Sequence, residues 1–262
     1  MDGKTILVSG LPIFYVAMGA GVPVLFVHGN TGSSLWWRDS MDLPGYRTVA
    51  LDLPNFGRSG PVPGYSAENA SLETYADYVA AFIEAMKLDR PVLVGHSLGG
   101  AVVQALVARR PELARALVLV DSAAPSGLVT PAERHPAIEM MRANPAVLAM
   151  ALKAVVPSMT DDAWFAGLVE DAKLMAAPAW IGNAEALSRF DLRGKLSGFK
   201  KPVLVVWGRK DVIVTEAMAR ETVDAFPKAR LVVVEESGHS VMAELPAAWR
   251  KMLGDFLTGL PE

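Results

Sequence analysis

The sequence predicts an α/β fold, a doubly wound and mostly parallel β-sheet flanked by helices, and two patterns carry that prediction. Short runs rich in Val and Leu alternate with longer stretches of helical character along most of the 262 residues, which is typical of repeated strand–helix units. Most of these runs are continuously apolar, as expected for strands that helices cover on both faces. The composition agrees, since 52% of the residues are hydrophobic and a chain of this length can bury one large core.

The predicted elements follow one another in a regular order. Residues 6–9 and 13–17 predict an opening hairpin. Gly19–Gly21 lies between two strand patterns rather than ahead of a helix, so it predicts a turn and not a dinucleotide-binding loop. Further strands are expected at Val24–Val27, Thr48–Leu51, Pro91–Val94, Leu117–Val120, Pro202–Trp207 and Leu231–Val234. Helices are expected at Leu72–Met86, Leu98–Arg109, Glu216–Phe226 and Ala247–Leu257.

One long interval departs from this alternation. Residues 123–198 contain no strand pattern, are helical in character and are rich in Met, Trp and Phe. A structureless loop of that length is implausible in a compact domain. We therefore predict a small helical lid (cap) subdomain at residues 123–198, inserted before the last two strands of a core domain formed by residues 1–122 and 199–262. Additional helices packed on the core are the alternative.

Charge and composition exclude several classes of function. The net charge is −3 and no basic cluster occurs, which argues against nucleic acid or an anionic membrane as partner. The absence of cysteine excludes disulfides, thiolate metal sites and a cysteine nucleophile. No apolar run approaches the length of a membrane span. The N-terminal stretch Met1–Thr5 lacks the basic start and apolar run of a signal peptide, so we expect a cytoplasmic protein.

The strongest chemical motif is a serine between a predicted strand and a predicted helix. Residues Gly95–Gly99 read Gly-His-Ser-Leu-Gly and follow the apolar run at Pro91–Val94. In such a nucleophile elbow the serine has a strained backbone, and small flanking residues let strand and helix pass closely. The turn directs the Ser97 hydroxyl away from the sheet, beside the positive end of the helix dipole. We predict Ser97 as a catalytic nucleophile.

A serine nucleophile needs an oriented base, and the chain contains four histidines. His239 follows the last predicted strand, at the carboxyl edge where ligands collect in open α/β sheets. His28 fits a structural brace for its loop, His96 is expected to point away from the site, and His135 lies in the predicted lid. We predict His239 as the base, and a surface histidine is the alternative.

A carboxylate should hold the correct tautomer of the imidazole. Asp211 follows the strand at Pro202–Trp207 and therefore reaches the same carboxyl edge as His239. Asp121, at the end of the strand at Leu117–Val120, is the rival position. We predict Asp211 as the acid of the triad, and a solvated loop aspartate is the alternative for either residue.

Two backbone N–H groups are predicted to bind the oxyanion that forms when the serine attacks. One belongs to Leu98, directly after Ser97, and the other to Asn30, in the glycine-containing loop after the strand at Val24–Val27. The side chain of Asn30 is also expected within reach of the site. Apolar residues are predicted to form the substrate pocket, although core packing is the alternative for the two adjacent tryptophans. The pocket candidates are Trp36, Trp37, Met140, Trp164, Trp180 and Val241.

These motifs together resemble the α/β-hydrolase superfamily, in its single-lid esterase, lactonase and carbon–carbon hydrolase branch. The resemblance covers essentially the whole chain, and the order Ser97, Asp211, His239 is the family's order. One departure is Asn55, where relatives more often have glycine; asparagine tolerates a left-handed backbone, so the turn is preserved. The motifs that carry the resemblance are His28–Asn30, Asp52–Ser59, Gly95–Gly99, Gly208–Asp211 and Gly238–His239.

The resemblance also separates related chemistries. A His-Gly-Asn loop followed by tryptophan resembles haloalkane dehalogenases, but those enzymes and the related epoxide hydrolases carry aspartate at the elbow. Serine at position 97 implies acyl transfer instead, by a serine hydrolase that needs no cofactor or metal and cleaves a small apolar ester or lactone. Three alternatives stay open: a carbon–carbon bond hydrolase, a perhydrolase with the same triad, and a small-ligand receptor on the same fold.

Overall fold

A computed structural model describes residues 3–261, and within them the apolar runs form one eight-stranded sheet. The strands are β1 (Lys4–Val8), β2 (Leu11–Gly19), β3 (Val22–Val27), β4 (Tyr46–Leu51), β5 (Val92–His96), β6 (Ala116–Val120), β7 (Val203–Gly208) and β8 (Ala229–Val234). Met1, Asp2 and Glu262 lie outside the described residues. Met1 and Asp2 belong to the N-terminal stretch from which a cytoplasmic location was predicted.

The sheet is doubly wound, with strand order β1-β2-β4-β3-β5-β6-β7-β8. Strand β2 pairs antiparallel with β1 and with β4, and every pair from β4 to β8 is parallel. The predicted fold class is confirmed. The opening hairpin turns at Ser9 and Gly10, both at positive φ, as a two-residue hairpin turn of type I′ requires. Ser9, which the sequence placed in the first strand, therefore belongs to the turn.

The central strands explain the continuous apolar runs. Every residue of β5, β6 and β7 is buried, because helices cover both faces of the sheet there. Full burial of each Val or Leu side chain stabilises the fold by about 1.5–3 kcal/mol. Strand β8 lies at the sheet edge and is only half-buried. Strand β5 also continues through Gly95 and His96, which pair with Leu119 and Val120.

Helices connect the strands and form the segment before β7. Within residues 3–261 they are α1 (Leu72–Ala85), α2 (Leu98–Arg109), α3 (His135–Ala143), α4 (Pro145–Val155), α5 (Asp162–Ala172), α6 (Ala177–Arg189), α7 (Glu216–Asp224), α8 (Val241–Glu244) and α9 (Pro246–Thr258). A short 3-10 helix covers Ser34–Ser40. None of the helices in this part of the chain has both the length and the apolar character needed to cross a bilayer.

Helices α3 to α6 contact the loops at the carboxyl edge of the sheet. Asp171 of α5 accepts hydrogen bonds from Ser33 Oγ, at 2.6 Å, and from both terminal nitrogens of Arg58, at 2.8 and 3.1 Å. The segment leaves and rejoins the sheet at the neighbouring strands β6 and β7. There the N–H of Leu192 donates to the carbonyl of Pro125, at 2.8 Å, and closes the neck of the segment.

Candidate active site

Ser97 occupies a strained position between β5 and α2. Its backbone has φ 52° and ψ −118°, a region that non-glycine residues rarely adopt. A Cβ on Gly95 would lie 2.6 Å from the carbonyl oxygen of Gly99, and a Cβ on Gly99 would collide with the carbonyl oxygen of His28. Both glycines are therefore required for the close passage of strand and helix, which is the geometry of a nucleophile elbow.

His239 and Asp211 meet at the carboxyl edge beside this elbow. His239 Nδ1 donates to Asp211 Oδ2 at 2.7 Å, and both side chains are buried. The other oxygen, Asp211 Oδ1, accepts the backbone N–H groups of Ile213 and Val214 at 2.7 and 3.0 Å. These bonds fix the carboxylate and place the ring proton on Nδ1, so that Nε2 of the neutral ring carries a lone pair.

The electrostatic environment favours a protonatable ring at position 239. Burial lowers the pKa of His239, but the charge of Asp211 and its hydrogen bond act in the opposite direction and prevail, so the pKa lies above the ordinary histidine value. His96, in contrast, is buried beside His239, and both burial and that neighbour hold its pKa well below the ordinary value. His239 thus combines a carboxylate partner with a raised pKa, as a general base that works near neutral pH requires.

Several contacts fix the loop that carries His239. Glu244 Oε1 accepts the N–H groups of Gly238 and Ser240, at 2.9 and 3.2 Å. The backbone N–H of His239 donates to the carbonyl of Val155 in α4, at 3.0 Å. His96 Nε2 donates to the carbonyl of His239 at 2.7 Å, because a carbonyl oxygen can only accept. His96 was expected to point away from the site; instead it lines the cavity and holds the backbone of His239 in place.

The predicted oxyanion donors lie at the same place. The backbone N–H groups of Asn30 and Leu98 donate to no acceptor within the described residues, and both residues adjoin the elbow. A Cβ on Gly29 would lie 2.9 Å from Cβ of Ser97, so glycine at position 29 lets this loop approach the serine. Thr31 Oγ1 donates to the carbonyl of Asn30 and holds the loop.

A cavity of about 200 Å³ joins these groups. Ser97, His239 and Asn30 lie in its wall. Within residues 3–261, no hydrogen bond joins Ser97 Oγ to the His239 ring. Catalytic hydrogen bonds are often long in the unliganded state and tighten with substrate. The remaining polar lining residues are Thr31, His96 and Ser240, and the apolar ones are Trp36, Met141, Leu148, Ala151, Leu152, Val155 and Ile213.

Two pocket candidates from the core lie outside the lining of this cavity. Trp36 lines the cavity, but its neighbour Trp37 is fully buried and packs against Phe26 and Trp249. Consecutive residues of a helical turn point in different directions, so one tryptophan reaches the site and the next reaches the core. Val241 is also fully buried, at the start of α8, outside the lining.

The three candidates from residues 123–198 also lie outside the lining of this cavity. Met140 is 57% exposed, and the next residue, Met141, reaches the cavity in its place. The indole N–H of Trp164 donates to the carbonyl of Leu35 under the guanidinium of Arg38, and Trp180 donates to the carbonyl of Met175. Both indoles therefore stabilise packing within the fold. They lie in the segment as predicted, but not in the cavity wall.

The rival acid and the other histidines have separate surroundings. Asp121 Oδ1 accepts the N–H of Gly208 at 2.8 Å, while Oδ2 has no partner within residues 3–261. Burial raises the pKa of Asp121 well above its ordinary value, and it forms no hydrogen bond with His239. His28 Nδ1 donates to the carbonyl of Gly29 and its Nε2 accepts the N–H of Leu53, so it braces the loop. His135 Nε2 lies 3.4 Å from Glu185 Oε1, within the segment that precedes β7.

Sequence reasoning missed the main apolar wall of the cavity. It is formed by α4 through Leu148, Ala151, Leu152 and Val155. Their spacing of three, four and seven residues defines one face of a helix, and that periodicity could have identified them. Asn183 was missed as well. It is fully buried in α6 and hydrogen-bonded to Asn30 at 2.9 Å, and no local pattern points to it.

Comparison with known proteins gives consistent matches. A family model described as "Alpha/beta hydrolase family" matches residues 24–251. The AB hydrolase superfamily protein YisY of Bacillus subtilis is 29% identical over 93% of this chain and 94% of its own length. The 2-hydroxymuconate semialdehyde hydrolase of a Pseudomonas strain is 28% identical over 97% of this chain and 93% of its own. An esterase structure from Exiguobacterium antarcticum superposes with a TM-score of 0.88 at 22% identity, covering 98% of this chain and all of that one.

Proposed function

The chain belongs to the alpha/beta hydrolase family, and from that premise we propose that it is a serine hydrolase that cleaves a small apolar carboxylic ester or lactone through an acyl-enzyme. The observation that carries the proposal is the 2.7 Å hydrogen bond between His239 and Asp211 at the wall of a cavity that also contains Ser97. This geometry supplies a nucleophile, a base and an orienting acid at one point.

In the first half-reaction Ser97 Oγ attacks the substrate carbonyl carbon while His239 Nε2 takes the hydroxyl proton. The carbonyl electron pair moves onto oxygen, where the N–H groups of Leu98 and Asn30 stabilise the negative charge. Asp211 stabilises the imidazolium that forms. When the intermediate collapses, the carbon–oxygen bond to the leaving group breaks and His239 returns its proton to the departing alkoxide. A lactone retains that alcohol in the acyl chain.

In the second half-reaction a water molecule replaces the alcohol. His239 takes a proton from the water, whose oxygen attacks the acyl carbon, and the same two N–H groups stabilise the new oxyanion. The bond between the acyl carbon and Ser97 Oγ then breaks, and Oγ receives the proton from His239. The carboxylic acid leaves and the enzyme returns to its starting state, so the cycle consumes water alone besides the substrate.

The size of the cavity limits the group that it accepts. An apolar cavity of about 150 Å³ binds benzene, and the cavity beside Ser97 measures about 200 Å³. Its apolar wall from α4 favours a hydrocarbon or aromatic group, and the polar atoms cluster around the elbow. The proposed acyl or alkyl group is therefore about the size of a phenyl ring with a short extension.

We also assign the segment at residues 123–198 to a lid over a core domain of residues 1–122 and 199–262. Helix α4 supports this assignment, because it forms the cavity wall opposite the elbow and accepts the backbone N–H of His239 through Val155. A lid of this kind excludes bulk water during acylation and determines which substrates enter.

The proposal is tested with a series of nitrophenyl esters of increasing acyl length, together with lactones, and with Ser97→Ala as the loss-of-function variant. Ser122→Ala is the matched control, because that hydroxyl is buried beside α2 and donates to the carbonyl of Ala123, outside the cavity lining. We expect Ser97→Ala to remove turnover and the acyl-enzyme burst with an unchanged melting temperature. Turnover by Ser97→Ala within a few fold of the wild type contradicts the mechanism.

A carbon–carbon bond hydrolase is the second candidate, because a relative that is 28% identical over nearly the whole chain is named 2-hydroxymuconate semialdehyde hydrolase. The same triad would then act on a vinylogous diketone, which belongs in the substrate series. Added hydrogen peroxide tests for a perhydrolase, since a peracid then appears in place of part of the acid. A single slow turnover on every substrate would instead support the receptor alternative.

A further inference from the structure

A buried chain of polar side chains links the lid to the oxyanion loop. It runs from Asn55 through Tyr75 and Asn183 to Asn30, and its first three members have at most 3% of their surface exposed. Asn183 lies in α6, whereas Asn30 follows β3, so the chain joins segments that are far apart in sequence. Buried amides and hydroxyls need hydrogen-bond partners. In this series each residue donates to the next, from Asn55 to Asn30, so the donor–acceptor order extends to the cavity.

The donor–acceptor order is set by a backbone N–H group, which can only donate. The backbone N–H of Val62 donates to Asn55 at 2.7 Å, so the atom that receives it is Oδ1 and the other terminal atom of Asn55 is the NH2 group. Asn55 Nδ2 donates to the hydroxyl oxygen of Tyr75 at 3.0 Å. Burial keeps the pKa of Tyr75 well above its ordinary value, and its hydroxyl proton therefore remains available for the next bond.

Tyr75 extends the series of hydrogen bonds to Asn183 in α6. Its hydroxyl donates to Asn183 Oδ1 at 2.8 Å, and the hydroxyl of Tyr65 donates to the same oxygen at 2.8 Å. With both donors on Oδ1, the NH2 group of Asn183 faces Asn30 and donates to Asn30 Oδ1 at 2.9 Å. A Cβ on Gly182 would lie 2.9 Å from the Tyr65 ring, so glycine there allows that tyrosine to approach the helix.

We propose, on the basis of the serine-hydrolase function above, that Asn183 is a positioning residue that makes Asn30 offer a donor rather than an acceptor to the substrate. Since Oδ1 of Asn30 is engaged by Asn183, the free group is Nδ2, which has no acceptor within residues 3–261. Asn30 lines the cavity, so this NH2 group binds an oxygen of the substrate beside Ser97. Asn55, the residue that departs from the family pattern, starts this relay.

Asn183→Asp exchanges donor and acceptor in the hydrogen bond with Asn30 and hardly changes the shape of the side chain. One carboxylate oxygen still accepts the two tyrosine hydroxyls, but the other can only accept from Asn30. The Asn30 amide must then turn, which presents its Oδ1 to the cavity. We expect kcat/KM for the best ester to fall about tenfold, the equivalent of one hydrogen bond. Asn144→Asp is the matched control, because this lid residue caps α4 and aspartate caps a helix equally well.

The decisive measurement is a double-mutant cycle with Asn30→Ala. If Asn183 acts through the Asn30 side chain, Asn183→Asp lowers kcat/KM in the wild-type background and has no further effect in Asn30→Ala. An equal loss in both backgrounds, or no loss in the wild type, overturns the inference. Ser97→Ala, measured in parallel, separates the two levels: activity retained there contradicts the serine-hydrolase proposal, whereas a failed cycle with an inactive Ser97→Ala contradicts only the role of Asn183.

A second variant covers the case in which a carboxylate at position 183 prevents folding. Asn55→Gly removes the amide that donates to Tyr75, and Tyr65→Phe removes the second hydroxyl that donates to Asn183. The hydroxyl of Tyr75 is then free to rotate. Position 55 has φ 71°, which glycine adopts without strain. We expect about a threefold loss in kcat/KM that disappears in the Asn30→Ala background. A loss that persists in that background, or no loss, contradicts the relay.

Discussion

The hydrogen bond between Asp211 and His239 yields a prediction whose size follows from the geometry. Asp211→Asn removes the charge but keeps the volume of a side chain that is buried against the ring at 2.7 Å. A hydrogen bond to a charged group is worth about 1.5–3 kcal/mol. That stabilisation favours the protonated ring, so its loss lowers the pKa of His239.

The sign of the effect on activity follows from the role of the base. In the proposed mechanism His239 must be neutral to take the proton from Ser97, so kcat/KM is expected to fall as the pH drops through the pKa of the free enzyme. In the wild type that pKa lies above the ordinary histidine value. We therefore expect the acidic limb of the pH profile to move to lower pH in Asp211→Asn, while the plateau falls at least about 10²-fold, since the ring loses its fixed tautomer.

The assay is kcat/KM for an activated ester across the pH range, with Asp121→Asn as the matched control. Asp121 is equally buried, but within residues 3–261 the only hydrogen bond of its side chain comes from the N–H of Gly208, which an asparagine oxygen also accepts. Its limb should shift far less. An acidic limb that stays in place in Asp211→Asn, or one that moves as far in Asp121→Asn, refutes the assignment of Asp211 as the acid.

Three further predictions concern the cavity, the segment at residues 123–198 and the loop that carries His239. Ala151→Leu fills part of the wall formed by α4, so the longest acyl chain that is turned over should shorten by several carbons while acetate esters react as before. Asp171→Asn weakens the bond to Arg58 and should lower the free energy of unfolding in urea by about 1–2 kcal/mol; Glu216→Gln, in exposed ion pairs, should cost less than about 0.5 kcal/mol. Glu244→Gln removes the charge that receives the Gly238 and Ser240 N–H groups, so kcat should fall about three- to tenfold with little change in KM; an unchanged kcat would show that the loop holds its shape without that charge.

The parts of the site that sequence reasoning predicted are those with local patterns. The elbow at Ser97 needs glycines at fixed positions on both sides, so strand, turn and helix can be recognised together. His239 and Asp211 follow strands that the apolar runs identify, and parallel strands bring their carboxyl ends to one edge. The predicted sheet followed from the same runs, and its boundaries differ from the structure by only a few residues.

The cavity wall could not be predicted in the same way. The neighbours Met140 and Met141 are chemically identical, yet one is exposed and the other lines the cavity, because about 100° of helix rotation separates them. Trp36 and Trp37 differ for the same reason. The contact between Asn183 and Asn30 joins residues 153 positions apart, and it depends on how the whole segment packs, which no short motif encodes.

The closed neck at Pro125 and Leu192 has an evolutionary and practical consequence. Because β6 and β7 are hydrogen-bonded neighbours, the two ends of the intervening segment are fixed at the spacing of adjacent strands, whatever its length or sequence. Exchange of this segment between relatives therefore leaves the register of the sheet and the elbow untouched. Chimaeras cut at Pro125 and Leu192 would therefore keep the sheet and the elbow, while the new segment would supply the partners that Val155 and Asn183 now give to His239 and Asn30.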